Sequence, residues 1–194
     1  MIDIVIHGAQ YKARFEDLEP YRGLTVEEQA HLLQTQHYVV VPGAVSPKRC
    51  EEISDAFQTD DHFVFAQAYT RPHQLARETA QGLKDKLSAM LGQDFELTAG
   101  QYHRINAMGT GLHADYPRPG INYSAWTLIG QMSTEGSNLV LFPHDGITGQ
   151  VGIMPMAEQG TTIFFDTFRF HAAKQGNPAV PLERMFVFMR KRPI

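Results

Sequence analysis

Cysteine is almost absent from this chain of 194 residues. With Cys50 alone, an intramolecular disulfide cannot form, and a metal cluster built on several thiolates is excluded as well. Any metal must then be held by nitrogen and oxygen. Positive charge is not in excess: 17 Lys and Arg stand against 21 Asp and Glu, a formal net charge of -4. That balance offers no general attraction to a phosphate backbone, so no nucleic-acid partner is expected, and Arg190-Lys191-Arg192 reads as a solvated end. Long apolar runs are missing too. No stretch approaches the length that spans a bilayer, and Met1 to His7 lacks the basic start and apolar run of a signal peptide, so no membrane partner and a cytoplasmic location are expected.

The composition, 43% hydrophobic and 20% charged, is that of a globular protein able to build a core, and the length fits one domain over residues 1–194. Its two halves read differently. Residues 1–93 form a mixed, partly helical lead-in. Thr25-Val26-Glu27-Glu28 has capping-box spacing and opens a helix to about Gln34. His37 to Val41 is β-rich and is stopped by Pro42-Gly43. Ser46-Pro47 starts a second helix that carries Cys50, Ile53 and Phe57, and a third runs from about Pro72 to Leu91 with Leu83, Leu87 and Leu91 on one face. Residues 94–194 turn to strands: 95–105, 124–132, 138–142, 149–154, 161–165 and 184–190, separated by breakers such as Pro117-Arg118-Pro119-Gly120. Short strands at this density imply a sandwich, jelly roll or barrel buttressed by the helices.

In an extended segment alternate side chains share a face, so His113 and Asp115 in His113-Ala114-Asp115 can point at one ion. Nine His among these acidic residues would produce about one such pair by chance. Position strengthens the pair, which follows the turn Gly109-Thr110-Gly111 in the strand-rich half, with a further candidate, His171, late in the same half. Two imidazoles and one carboxylate on one side of a metal leave its other positions open, as in oxygen-activating non-haem Fe(II) sites, whereas a structural zinc site is closed by four protein ligands.

In order along the chain, Gln101-Tyr102-His103-Arg104, His113-Ala114-Asp115, Gly136 to Pro143, Gly160 to His171 and Glu183-Arg184-Met185-Phe186-Val187-Phe188 make a segment that resembles the Fe(II)- and 2-oxoglutarate-dependent dioxygenases over roughly Gly100 to Arg190. The second glycine that this family often carries in the Gly136 hairpin is missing here. The resemblance implies a mainly β, double-stranded β-helix (jelly-roll, cupin-like) fold with flanking helices. It also implies Fe(II) on His113, Asp115 and His171, with 2-oxoglutarate as cosubstrate and O2 as oxidant. The reaction implied is oxidative decarboxylation of the keto acid coupled to hydroxylation, or a related C–H oxidation, of a substrate. Arg184 is then expected to grip the distal carboxylate of 2-oxoglutarate through a forked, charge-assisted pair, and Tyr102 to hydrogen-bond the same group.

For the substrate, Tyr116, Arg118, Trp126 and Arg169 are the polar or aromatic residues nearest the ligands in sequence. Arg118 or Arg169 could pair with an acid, so a small, carboxylate-bearing molecule is the expected partner, with a peptide or protein substrate kept open. His103, two residues after Gln101, could face the pocket but is read first as a structural His. Two other functions remain: a cupin-like metalloenzyme that does not use 2-oxoglutarate, and a non-catalytic β-sandwich that binds its partner through aromatic surface.

Overall fold

The structure is a computed structural model, and it describes residues 1–6, 8–104, 110–115, 122–130, 138–142, 150–173 and 182–193. The chain opens with a hairpin, β1 (Ile2–Ile6) and β2 (Ala9–Glu16). Helix α1 (Val26–Gln36), strand β3 (Tyr38–Val41), helix α2 (Pro47–Ala56), strand β4 (Asp61–Val64) and helix α3 (Arg71–Leu91) follow. Strands β5 (Phe95–His103), β6 (Thr110–His113), β7 (Asn122–Leu128), β8 (Leu139–Leu141), β9 (Val151–Pro155), β10 (Thr162–Asp166), β11 (His171–Ala173) and β12 (Arg184–Lys191) complete it.

The helices begin where local chemistry starts them. Thr25 and Glu28 close a reciprocal capping box on α1, each side chain taking the other's backbone N–H. Ser46 caps α2, with Pro47 in its first turn, and Thr70 caps α3. Leu83 and Leu87 of α3, with Cys50 and Ile53 of α2, are buried in the main core. Burial pushes the Cys50 thiol up to about 11, which suits a small apolar packing residue and not a nucleophile.

The strands form two sheets, β1-β2-β9-β8-β11-β6 and β3-β10-β7-β12-β5-β4. The first carries the expected metal ligands, and the second carries Arg184 and packs its outer face on the helices. Pairing is antiparallel throughout the described strands except between β2 and β9. Period-two alternation sorts the residues of the first sheet: Leu139, Leu141 and Ile153 join the main core, whereas Val140, Met154 and Ala172 turn the other way. That outer side is not left bare. Ile4, Ile6 and Ala13 of the N-terminal hairpin cover it in a second apolar cluster that also takes in Phe142 and Leu112. This is a jelly roll of the double-stranded β-helix type, with strands from before residue 94 present in both sheets.

The strand-rich half follows the expected spans to within a few residues, but the β1–β2 hairpin was not anticipated by the sequence pattern. Its signal is the alternation of Ile2, Ile4 and Ile6, which lies in a stretch too short and too mixed to stand out. The expected turns at Gly109, Pro117–Gly120 and Gly136-Ser137 lie outside the described residues.

Gly160 is the tightest backbone approach in the structure's core. Its φ is 83°, and an added Cβ would collide with the Val45 carbonyl, whose own N–H donates to Gly160 O at 3.0 Å. Both the left-handed backbone and the contact require glycine there. Gly160→Ala is therefore expected to lower stability by about 2 kcal/mol or more, read as the shift in a urea unfolding midpoint.

Candidate metal centre

Strand β11 lies between β8 and β6, and in this pairing His171 falls opposite both Leu141 and His113. Directly paired residues share a face, so both imidazoles point to the inner side of the sheet, toward the second sheet. Asp115 follows β6 and is brought back by its own backbone, whose N–H donates to Thr167 O at 3.0 Å. One donor atom from each of His113, Asp115 and His171 lies within 4.8 Å of the others. His113 Nε2 is 3.2 Å from Asp115 Oδ1, and His171 Nε2 is 3.5 Å from Asp115 Oδ2.

The protonation pattern suits a cation. His171 Nδ1 lies 2.9 Å from the Arg169 carbonyl, which can only accept, so Nδ1 carries a proton while Nε2 faces Asp115. Burial by itself raises the Asp115 carboxyl. The hydrogen bonds and positive potential of His113 and His171 more than offset that, holding it well below the usual carboxylate range. The result is an anionic oxygen and two imidazole nitrogens, with the cavity on their open side. This donor set fits a divalent metal that keeps free positions, and among the described residues no fourth protein ligand closes it as in a structural zinc site.

The cavity, of about 240 Å³, is walled on the far side by β5 and β12. Arg184 lies in it with the triad, only 8% exposed. Burial pulls its pKa down to about 10, against the attraction of Asp60, so it stays cationic at neutral pH. The ring of Phe186 lies 5.7 Å from the guanidinium. No carboxylate of the described residues reaches ion-pairing distance of it, unusual for a buried arginine.

The other expected site residues divide. Tyr102 does not enter the cavity: between Gln101 and His103 it takes the opposite face of β5, stacks on Phe57 at 4.5 Å and donates its hydroxyl to Glu183 Oε2 at 3.0 Å. Strand alternation is the reason, because the partner of Tyr102 on β12 is Met185, which is core, whereas Gln101 and His103 pair with Phe186 and Arg184. Trp126 is fully buried in the middle of β7 between Ile163 and Phe186, a packing residue and not a substrate contact. Arg169 does not line the cavity either. Its side chain turns to His37 at the end of α1, with Nη2 2.7 Å from the His37 ring nitrogen Nε2. Tyr116 and Arg118 lie outside the described residues.

Gln101 and His62, not expected at the site, line it, as does His103, read first as a structural His with the pocket as its alternative. His103 Nε2 is 3.2 Å from Gln101 Oε1, and burial together with the Arg184 charge lowers its pKa, keeping the ring neutral. His62 comes from β4, where it pairs with Gln101. Only the short alternation Asp61-His62-Phe63-Val64 could have marked it, by identifying β4 as a strand.

No known protein-family model and no curated protein sequence matches this chain. Solved structures do match. A 2OG-Fe(II) oxygenase family protein from Burkholderia pseudomallei superposes with a TM-score of 0.70 at 14% identity, over 94% of this chain and 95% of that one. The fold is that of the 2-oxoglutarate- and Fe(II)-dependent oxygenases. Within this oxygenase fold, the α-ketoglutarate-dependent epimerase SnoN from nogalamycin biosynthesis matches with a TM-score of 0.68 at 16% identity, over 87% of this chain and 85% of that one. A Trichoplax adhaerens prolyl hydroxylase, solved with a hypoxia-inducible-factor peptide, gives 0.62 at 13%, over 85% and 88%. Among the described residues no helix is long and apolar enough to cross a membrane.

With Tyr102 behind the sheet, Tyr102→Phe is expected to leave 2-oxoglutarate affinity unchanged while costing about 1 kcal/mol of stability through the lost bond to Glu183. Parallel denaturant unfolding and keto-acid titration would show the two effects separately.

Proposed function

We propose that this protein is a non-haem Fe(II) oxygenase that couples oxidative decarboxylation of 2-oxoglutarate to oxidation of a C–H bond, by hydroxylation or a related outcome, in a small-molecule substrate. The observation that carries the reading is a buried arginine without a carboxylate partner among the described residues, in one small cavity with a His-Asp-His triad.

His113, Asp115 and His171 would hold the metal through Nε2, the carboxylate and Nε2. When bound, Fe(II) with 2-oxoglutarate supplies the oxidising chemistry, consuming O2 and releasing succinate and carbon dioxide. The chain's own contribution is placement. Asp115 brings a fixed negative charge that stays ionised at neutral pH, and the Arg169 carbonyl keeps the His171 proton on Nδ1, away from the metal side. Arg184 would pair with the distal carboxylate of the keto acid, which would give the guanidinium an anionic partner that the described residues do not supply. His103, held neutral beside it, and Gln101 present hydrogen-bonding atoms to the same end of the cavity. Phe186 and Phe188 make the β12 wall of the cavity apolar next to Arg184, which disfavours water along that wall.

A cavity of about 240 Å³ that must also hold the keto acid favours a small substrate. The expectation of a carboxylate on that substrate loses Arg169, which is engaged with His37, and rests on Arg118 alone. The neighbours span an antibiotic-pathway epimerase and a prolyl hydroxylase solved with a peptide, so the reaction outcome is a matter for assay on this chain.

Anaerobic addition of Fe(II) and then 2-oxoglutarate should produce the weak visible charge-transfer band of the chelate. Replacing His113, Asp115 or His171 by Ala should abolish it. Arg184→Met should weaken 2-oxoglutarate binding by about a hundredfold with Fe(II) uptake intact. In the ligand-free protein the same change removes a buried charge that no carboxylate among the described residues pairs with, so its thermal midpoint should not fall. A metalloenzyme that ignores the keto acid would keep its activity in Arg184→Met, and a binding module would show no band at all.

A further inference from the structure

Two of the three metal-ligand residues are oriented by a single turn. Between β10 and β11, residues Asp166 to Phe170 reverse the chain, closed by Arg169 N–H to Asp166 O at 3.0 Å and by Phe168 N–H to Asp166 Oδ1 at 2.9 Å. Two carbonyls of this turn reach the triad. Thr167 O accepts the Asp115 backbone N–H at 3.0 Å, and Arg169 O accepts the His171 Nδ1 proton at 2.9 Å. Any tilt of the turn would therefore move a carboxylate and an imidazole together.

The same turn is held on several sides: Asn122 O accepts the Thr167 N–H and hydroxyl, Phe142 N–H donates to Phe170 O, and His37 contacts the turn twice. His37 O accepts the Asp166 N–H at 3.0 Å, and His37 Nε2 accepts from Arg169 Nη2 at 2.7 Å. His37 caps the C-terminus of α1 in a left-handed conformation, φ 66°, which glycine or asparagine adopts more readily. A ring that contacts Arg169 at this strained position is a reason for histidine to occupy it.

We propose that His37 and Arg169 are positioning residues: through the Asp166–Phe170 turn, they lock the His171 tautomer and the Asp115 backbone in the geometry that binds the metal. The idea rests on the metal-binding reading of the triad, but its first readout does not need a metal. His37→Gly removes the ring while accepting the left-handed backbone, and Arg169→Met removes the guanidinium while keeping the carbonyl that His171 uses.

In the metal-free parent, the 15N shifts of the His171 ring should report a proton fixed on Nδ1, and in either variant they should move toward a mixture of tautomers. Anaerobic titration with Fe(II) alone should show binding about tenfold weaker in each variant. The double variant should be no weaker than the weaker single, because both changes break one contact. The thermal midpoint of His37→Gly should stay near that of the parent. Unchanged His171 shifts and unchanged Fe(II) affinity in both variants would overturn the proposal, as would a double variant whose losses add. A parent that takes up no Fe(II) would instead refute the oxygenase reading, and the tautomer measurement would still decide the role of His37.

Discussion

The register between β6 and β11 is the constraint on which the site depends. These strands pair so that His171 stands opposite His113, and a bulge follows between His171 and Ala173. Because side chains alternate along a strand, a slip of one residue would send His171 to the outer side of the sheet, where Ala172 now packs against Val140 and Phe142. The apolar contacts of Ala172, Leu141 and Ala173 on their respective sides make that slip costly. Convergence of the three ligands is thus enforced by burial of their neighbours. Attraction between Asp115 and the imidazoles refines a geometry the sheet has already imposed.

A second alternation places the charge at the opposite wall. Glu183 and Arg184 are adjacent, and the chain turns them to opposite sides. Glu183 takes hydrogen bonds from Tyr102 and Ser54 and an ion pair from Arg104 on the helix side, while Arg184 enters the cavity. The carboxylate nearest to Arg184 in sequence is therefore committed elsewhere. A buried guanidinium with no ion-pairing carboxylate among the described residues is unfavourable for folding alone, and it gives that wall of the cavity a positive charge. The same two-sidedness puts Gln101 and His103 at the cavity and Tyr102 in the core.

Much of this was legible in the residues. Capping chemistry at Thr25 and Ser46 is local and reads directly, and strands such as Thr162–Asp166 and Arg184–Lys191 stand out by composition and by the turns around them. The triad was legible through its order along the chain, and the placement of Arg184 through alternation with Phe186 and Phe188. What could not be read was the face a residue takes when both faces of its strand are buried. Tyr102 and Trp126 sit on strands with a covered surface on each side, so polarity carries no orientation signal there. Arg169 was misjudged for another reason. Its nearness to His171 in sequence suggested the cavity, but its partner, His37, is 132 residues away in the chain and can be found only in three dimensions.

The N-terminal hairpin gives the sheet that carries His113 and His171 a backing that a division of the chain into lead-in and β core would overlook. Leu112 precedes His113 and Ala172 follows His171, and both belong to the apolar cluster with Ile4 and Ile6. A domain boundary drawn at the first clear helix would strip this backing and wet the rear of two ligand-bearing strands. Loss of the opening sixteen residues would then register at the His-Asp-His triad, on the far side of the sheet from the cut.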